Sequence, residues 1–418
     1  MGQAPLLDNI TDFATDGCGI DPWLFAGLPT NLGAMVTEGD HGLYIVGVAE
    51  TPLGKVPDHT EMSMVAVAAR EALAEAGLTL RDVDALFVNY MGEEGSVQVG
   101  EYLGIQPRYG DSSDLGGGSF EAFVHRAMLA LAAGHCDVAL IAYASRQRSR
   151  RNRSMMLAID DSLAGQFESP YGLPMAIGHY ALIASRHMHE FGTTPEQLAS
   201  VAVAARQWAA LNPKAWSREP LTVEDVLSSR LISEPFHQLD CCLRTDGGGA
   251  VVLTRADRAR DAAKPAVRVL GAGESHTQWH ISQMRDLTVT CSREAGRDAF
   301  RRAGITAADV DFFEPYDNFT SSVILQLEDL GFCEKGEGGA FVADGHLGPG
   351  GSLPSMTTGG GLSYCHPGAL GILLLIEAVR QLRGEAGERQ VHGAELGAVS
   401  GIGGISHSAA ATVVLARA

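Results

Sequence analysis

The chain has 418 residues, 45% of them hydrophobic and 19% charged, a globular composition long enough for two or three domains. Fifty Asp and Glu against 31 Lys and Arg give a net charge of −19, which disfavours nucleic acid or an anionic membrane as a bulk partner. The seven cysteines (Cys18, Cys136, Cys241, Cys242, Cys291, Cys333, Cys365) form no CxxC pair, so neither a zinc site nor a disulfide framework is expected, and the thiols suit a reducing, cytoplasmic setting. No apolar run approaches ~18 residues, and the N-terminus lacks a basic segment followed by an apolar one; neither a membrane span nor a secretory signal is expected.

Residues 1–42 are rich in Gly, Asp, Thr and Pro with little periodicity and read as an N-terminal extension. Leu43–Ala49 is an apolar run too short for a helix, a buried strand. Met62–Ala76 has helical spacing and stops at Gly77. Val83–Val88 is the next strand, a helix follows from about Ser119 to Ala133, and Val138–Ala144 is a third strand. Such alternation indicates a parallel or mixed sheet covered by helices. Ala76–Asp84 (AGLTLRDVD) returns as Ala303–Asp311 (AGITAADVD), and Ala250–Ala256 (AVVLTRA) as Thr412–Ala418 (TVVLARA). Two α/β halves therefore stand in tandem, about 43–262 and 265–418, with a loop domain at about 145–240 that has no counterpart in the second half.

Glycine clusters at 116–118, 247–249, 359–361 and 401–404 allow close approach of a ligand or a second backbone. Several ordered segments carry a resemblance: YIVGVAETPLG (44–54), SPYG and YALIASRHMHEFG within 168–192, DCCLRTDGGGAVVL (240–253), EPYDNFT (314–320), CHPG (365–368) and GIGGISHS (401–408). Across 43–418 the chain resembles the thiolase superfamily, nearest the lipid-transfer-type branch that includes thiolase-like aldolases of steroid side-chain breakdown. The resemblance implies a thiolase fold: two tandem βαβαβαββ halves in a five-layer α-β-α-β-α arrangement.

A thiolase of this family needs a cysteine on the sharp turn before the buried first-half helix, where the helix N-terminus activates the thiolate. That turn here reads Asp114-Leu-Gly-Gly-Gly-Ser-Phe-Glu121, and the second catalytic cysteine is missing from Ser400-Gly-Ile-Gly-Gly404. Tyr316 replaces the family's asparagine or histidine, Tyr364 precedes the retained His366 at the start of a helix over 368–383, and His407 follows the last glycine turn. Lost cysteines and gained tyrosines resemble the aldolases, which cut a β-hydroxyacyl-CoA with no acyl-enzyme. Retro-aldol cleavage needs a base for the β-hydroxyl and donors for the thioester enolate. The resemblance gives Tyr316 and Tyr364 proton transfer, His366 with the backbone of Gly116, Gly117, Gly118 and Ser119 the thioester, and His407 a supporting part. The bland alternatives are buried phenols, and a Ser119 that only caps its helix. Cys365, although beside His366, is not expected to be a nucleophile, and Cys241 and Cys242 read as core.

The one strongly basic run, Arg146-Gln-Arg-Ser-Arg-Arg-Asn-Arg153, offers Arg146, Arg148, Arg150 and Arg151 to the phosphates of coenzyme A, or equally a solvated or docking face. No nucleotide-binding glycine motif follows a strand, and no metal or covalently bound cofactor is expected, coenzyme A entering as part of the substrate. The competing functions are a Claisen-type acyltransferase and a non-catalytic acyl-CoA- or lipid-binding subunit. The resemblance further implies a homodimer and a separate partner built from a zinc ribbon and an OB fold.

Overall fold

The computed structural model describes residues 42–89, 95–150, 162–173 and 175–418. Residues 1–41 of the proposed extension and Arg151 lie outside the described residues. Local chemistry starts the elements. β1 (Leu43–Glu50) is an apolar run buried almost throughout. α1 (Glu61–Glu75) begins at a capping box in which Thr60 and Ser63 each accept the other's backbone N–H on a side-chain hydroxyl. The repeated Ala-Gly-x-Thr-x-x-Asp-Val-Asp segment forms the same turn twice, the N–H groups of Thr79 and Thr306 donating to Asp82 and Asp309 at 2.8 Å. Because that turn takes Leu80–Asp82, β2 (Ala85–Val88) starts two residues later than the strand expected from Val83.

After β2 come α2 (Gly95–Leu103), β3 (Tyr109–Asp111), α3 (Ser119–Ala132) and β4 (Val138–Arg146). The following segment carries α4 (Leu163–Phe167), α5 (Met175–Phe191), α6 (Pro195–Ala210), α7 (Val223–Ser228) and a small ribbon of β5 (Leu231–Ser233) with β6 (Phe236–His237). β7 (Asp246–Arg255) and α8 (Ala256–Ala259) lead into β8 (Val267–His276), α9 (Ser292–Ala303), β9 (Phe312–Pro315), α10 (Thr320–Asp329) and α11 (Gly338–Ala343). α12 (Gly371–Arg383), β10 (Leu396–Gly403) and β11 (Ala409–Arg417) finish the chain.

Nine strands run in the order β3-β2-β4-β7-β1-β8-β11-β10-β9, two mirrored sets joined edge to edge where β1 meets β8 through three residue pairs, Leu43–Ile45 against Val267–Val269. In the second set the partner of β3 is reduced to a single parallel bridge between Phe313 and Ser355. α1 covers one set, packing on β1, β4 and β7, and α9 covers the other, packing on β8, β10 and β11. α3 and α12 lie between them and touch strands of both sets, so the layers alternate helix, sheet, helix, sheet, helix. A helix in that middle layer must be apolar all round, and the GILLLIEAV run of α12 is buried throughout. Each leucine there contributes about 1.5–3 kcal/mol by leaving water. α12 starts at Gly371 and not at 368, because Gly368 takes a left-handed φ of 95° that no helix continues through.

Candidate active site

The glycine turn before α3 is held shut by its own serine. Gly116, at φ 62°, reverses the chain. Ser119 Oγ donates to the Gly116 carbonyl at 2.8 Å and accepts from the Leu115 N–H at 2.9 Å and from Asn89 Nδ2 at 2.7 Å. Fully buried and committed to three partners, this hydroxyl fastens the turn; it neither caps the helix nor faces the cavity.

Tyr316 emerges one residue beyond β9, its own N–H donating to the Ser400 carbonyl of β10. Its hydroxyl lies 3.0 Å from His366 Nε2 and accepts from the Leu370 N–H at 3.4 Å, just ahead of α12. The tyrosine ring fills the space above Gly117, where a Cβ would lie 2.1 Å from Cε2 and 2.5 Å from the hydroxyl oxygen. A side chain at 117 and the phenol at 316 therefore exclude one another. His366 is placed by Thr245, whose Oγ1 accepts its N–H at 2.8 Å. Burial pushes the Tyr316 hydroxyl well above its ordinary value and brings the imidazole of His366 down to about 4. At neutral pH both are uncharged, and the imidazole tautomer sets which of the two donates; the phenol also has the Gly368 carbonyl within 3.5 Å as an acceptor.

These groups open onto a cavity of about 550 Å³. Gly116 and Gly117 form one side, Tyr316, His366 and Asn318 another, and Tyr180 of α5 with Trp279 line its apolar part. Ser119 and Gly118 stand behind this surface; a Cβ on Gly118 would press on the Gly401 carbonyl at 2.9 Å. The sequence reading missed Tyr180, Asn318 and Cys242. Tyr180 and Asn318 sit inside the quoted YALIASRHMHEFG and EPYDNFT segments, the signal that marks them. Cys242, expected in the core, lines the cavity, its thiol held protonated by burial.

Three expected site groups lie elsewhere. Tyr364 ends a π-type turn, Gly360–Tyr364, that aims it at β1, where its hydroxyl donates to Glu50 Oε1. Burial opposes ionisation of Glu50, yet Arg380 at 2.6 Å and Lys214 at 2.5 Å hold its carboxyl at about 2. Tyr364 thus completes a buried ion cluster and does not line the cavity. His407, in the left-handed region at φ 52°, is fully buried behind Tyr180 with ring centroids 4.8 Å apart, and burial brings it to about 3. Of the basic run, Arg146 donates to the Pro57 carbonyl at 3.1 Å, Arg150 lies 3.6 Å from Glu61, and Arg148 stacks on Trp216 at 4.3 Å; none lines the cavity. Cys365 shares a 3.1 Å hydrogen bond with Thr245, and burial pushes its thiol up to about 12, as a non-nucleophile requires.

Residues 273–417 match the family described as Thiolase C-terminal domain-like. An acetyl-CoA acetyltransferase of Methanothermobacter thermautotrophicus is 34% identical over 88% of this chain and 97% of its own length. A steroid side-chain-cleaving aldolase of Thermomonospora curvata is 36% identical over 81% of this chain and 90% of its own. Among solved structures, the Ltp2-ChsH2(DUF35) aldolase superposes with a TM-score of 0.81 at 31% identity, covering 90% of this chain and 98% of that one.

Proposed function

This chain belongs to the thiolase superfamily, in its sterol-carrier-like branch, and on that premise we propose that it is a thiolase-like aldolase cleaving a β-hydroxyacyl-CoA. The observation that carries this reading is the Tyr316–His366 pair seated over Gly117, in the space a side chain at that turn would occupy. Acyl transfer of the thiolase kind needs a thiolate, and Cys242, the only thiol among the lining residues, is kept protonated by burial.

In the proposed step the β-hydroxyl proton passes to the Tyr316 oxygen while the phenol's own proton moves to His366 Nε2. The hydroxyl electrons close a C=O bond, the Cα–Cβ bond breaks, and its electron pair settles on the thioester oxygen as an enolate. Returning one proton to Cα gives acetyl- or propionyl-CoA and frees a ketone or aldehyde. The backbone N–H of Gly117 steadies the enolate oxygen, a part the sequence shared with His366; the Gly116 N–H already donates to Asp114 Oδ1 at 2.7 Å. The wall of Tyr180, Phe319, Trp279 and Ile405 takes the apolar acyl portion. Among the described residues of the basic run, Arg148, its guanidinium exposed on Trp216, is the one placed to meet a coenzyme A phosphate. β3 leaves an open sheet edge beside exposed Val97 and Tyr102, where a second copy pairs to form a homodimer, and a separate OB-fold and zinc-ribbon subunit completes a cytoplasmic complex.

Purified protein, alone and with its partner subunit, is assayed on a panel of β-hydroxyacyl-CoAs for released ketone or aldehyde. The reading expects cleavage that Tyr316→Phe abolishes. Acyl exchange with β-ketoacyl-CoAs and no cleavage overturns it.

A further inference from the structure

Tyr316 and His366 meet although fifty residues separate them. Between them runs the turn Gly360–Tyr364, whose outer side is held by Arg206 on Ser363 Oγ and by the N–H groups of Trp216, Ser217 and Leu243 on its carbonyls, and whose Gly361 and Leu362 N–H groups go to one buried carboxylate. Asp317 Oδ1 accepts the Gly361 N–H at 2.6 Å and Oδ2 accepts the Leu362 N–H at 3.1 Å. Packing around it leaves no slack. A Cβ on Gly360 would stand 2.1 Å from Oδ2, and one on Gly361 would stand 3.0 Å from His366 Cδ2 and 3.1 Å from Asp317 Oδ1. The carboxylate, the turn and the imidazole are one contact stack, and Asp317 is the next residue after Tyr316.

We propose that ionised Asp317 is a positioning residue of this site: by pinning the Gly360–Tyr364 turn to the end of β9 it sets the Tyr316–His366 contact, and its protonation switches that contact off. The inference rests on the aldolase reading for its effect on turnover. Among the described residues no cation pairs with Asp317. The charged and titratable groups around it are Tyr316 and His366, Cys242, Glu314 on β9, which shares Thr357 with the Arg389-bound Glu377, and, across the turn on α6, the buried Arg206, which donates to Ser363 Oγ at 2.9 Å. With two backbone N–H groups offsetting complete burial only in part, the Asp317 carboxyl stands at about 7. Protonation turns an acceptor oxygen into a donor facing an N–H, so the anchor weakens as pH falls through that value. His366, at about 4, and Tyr316 do not titrate there.

Turnover is measured against pH for the wild type and Asp317→Asn, with imidazole resonances of His366 followed in ¹⁵N-histidine-labelled protein. Wild-type kcat should fall on the acid side with a midpoint near that of Asp317. Asp317→Asn should lose about a hundredfold in kcat, with KM nearly unchanged and the acid limb gone. The His366 resonances of the wild type should shift through the same midpoint, although the ring itself titrates far lower. An Asp317→Asn enzyme with wild-type kcat and acid limb overturns the proposal, as does a His366 signal that stays still across neutrality. The resonance titration needs neither substrate nor variant. If the wild type cleaves no β-hydroxyacyl-CoA, the aldolase reading falls and the positioning role is still decided.

Discussion

The residue after β2 in the first half is Asn89, and the residue after its counterpart β9 in the second half is Tyr316. Both are buried and both reach the turn before α3. Asn89 grips it from behind, donating to Ser119 at 2.7 Å and Asp114 at 3.0 Å, whereas Tyr316 covers it from the cavity side and presents a hydroxyl. The same contrast holds for the middle-layer helices: the approach to α3 supplies a glycine surface, and the approach to α12 supplies His366. On the proposed reading one half serves as scaffold and the other carries the chemistry, with matching Thr–Asp turns in both.

Removing the chemical half is the strongest test of that division. Tyr316→Phe should lower kcat by about a thousandfold while leaving the fold intact, measured by cleavage assay and thermal melting. Gly117→Ala attacks the scaffold half at the point of contact. Its Cβ displaces the phenol, and a loss of about a hundredfold is expected. Combined with Tyr316→Phe it should add little further, because both changes remove one interaction.

The middle layer also sets a pH dependence of stability. Neither carboxyl oxygen of Glu121 on α3 has a partner among the described residues, and burial pushes the group up to about 8. A carboxyl raised in the folded state contributes stability fully present below its unfolded value of about 4.5 and lost as pH rises through about 8. Asp317 acts with the same sign up to about 7. Glu50, held at about 2, has the opposite sign, and its contribution is lost only as pH falls below the ordinary carboxylate range. The melting temperature should therefore drop by several degrees from mildly acidic to mildly alkaline pH, and Glu121→Gln should flatten that slope. The smallest effect is expected of Tyr364→Phe. It removes one hydrogen bond from a Glu50 that keeps Arg380 and Lys214, costing about 1–2 kcal/mol of stability and changing kcat less than about threefold.

Much of the fold was legible because its signals are local. Apolar runs of strand length, a glycine stop after α1 and the duplicated Thr–Asp turn are read within a few residues. The glycine turn, Tyr316 and His366 were each legible through motif order, but their pairing was not, since the motifs set Tyr316 with Tyr364. What escaped depends on contacts between distant segments. Tyr364 and His366 are two residues apart, yet the π-type turn sends one to Glu50, 314 residues away, and the other to the cavity. Cys242 reads as core beside a strand, and only the return of the chain at Asn318, whose carbonyl accepts its N–H at 2.9 Å, places it on the cavity wall. Asp317 was passed over as part of a motif, since its role lies in two backbone N–H groups that no side-chain pattern reports.

The mutual exclusion at Gly117 also constrains ancestry. With only 2.1 Å between a Cβ there and the ring of Tyr316, no descendant can hold the phenol in this position while residue 117 carries a side chain. A chain that keeps the phenol in this position is therefore confined to glycine at 117. Any lineage that places a side chain at 117 must first move or lose the aromatic ring.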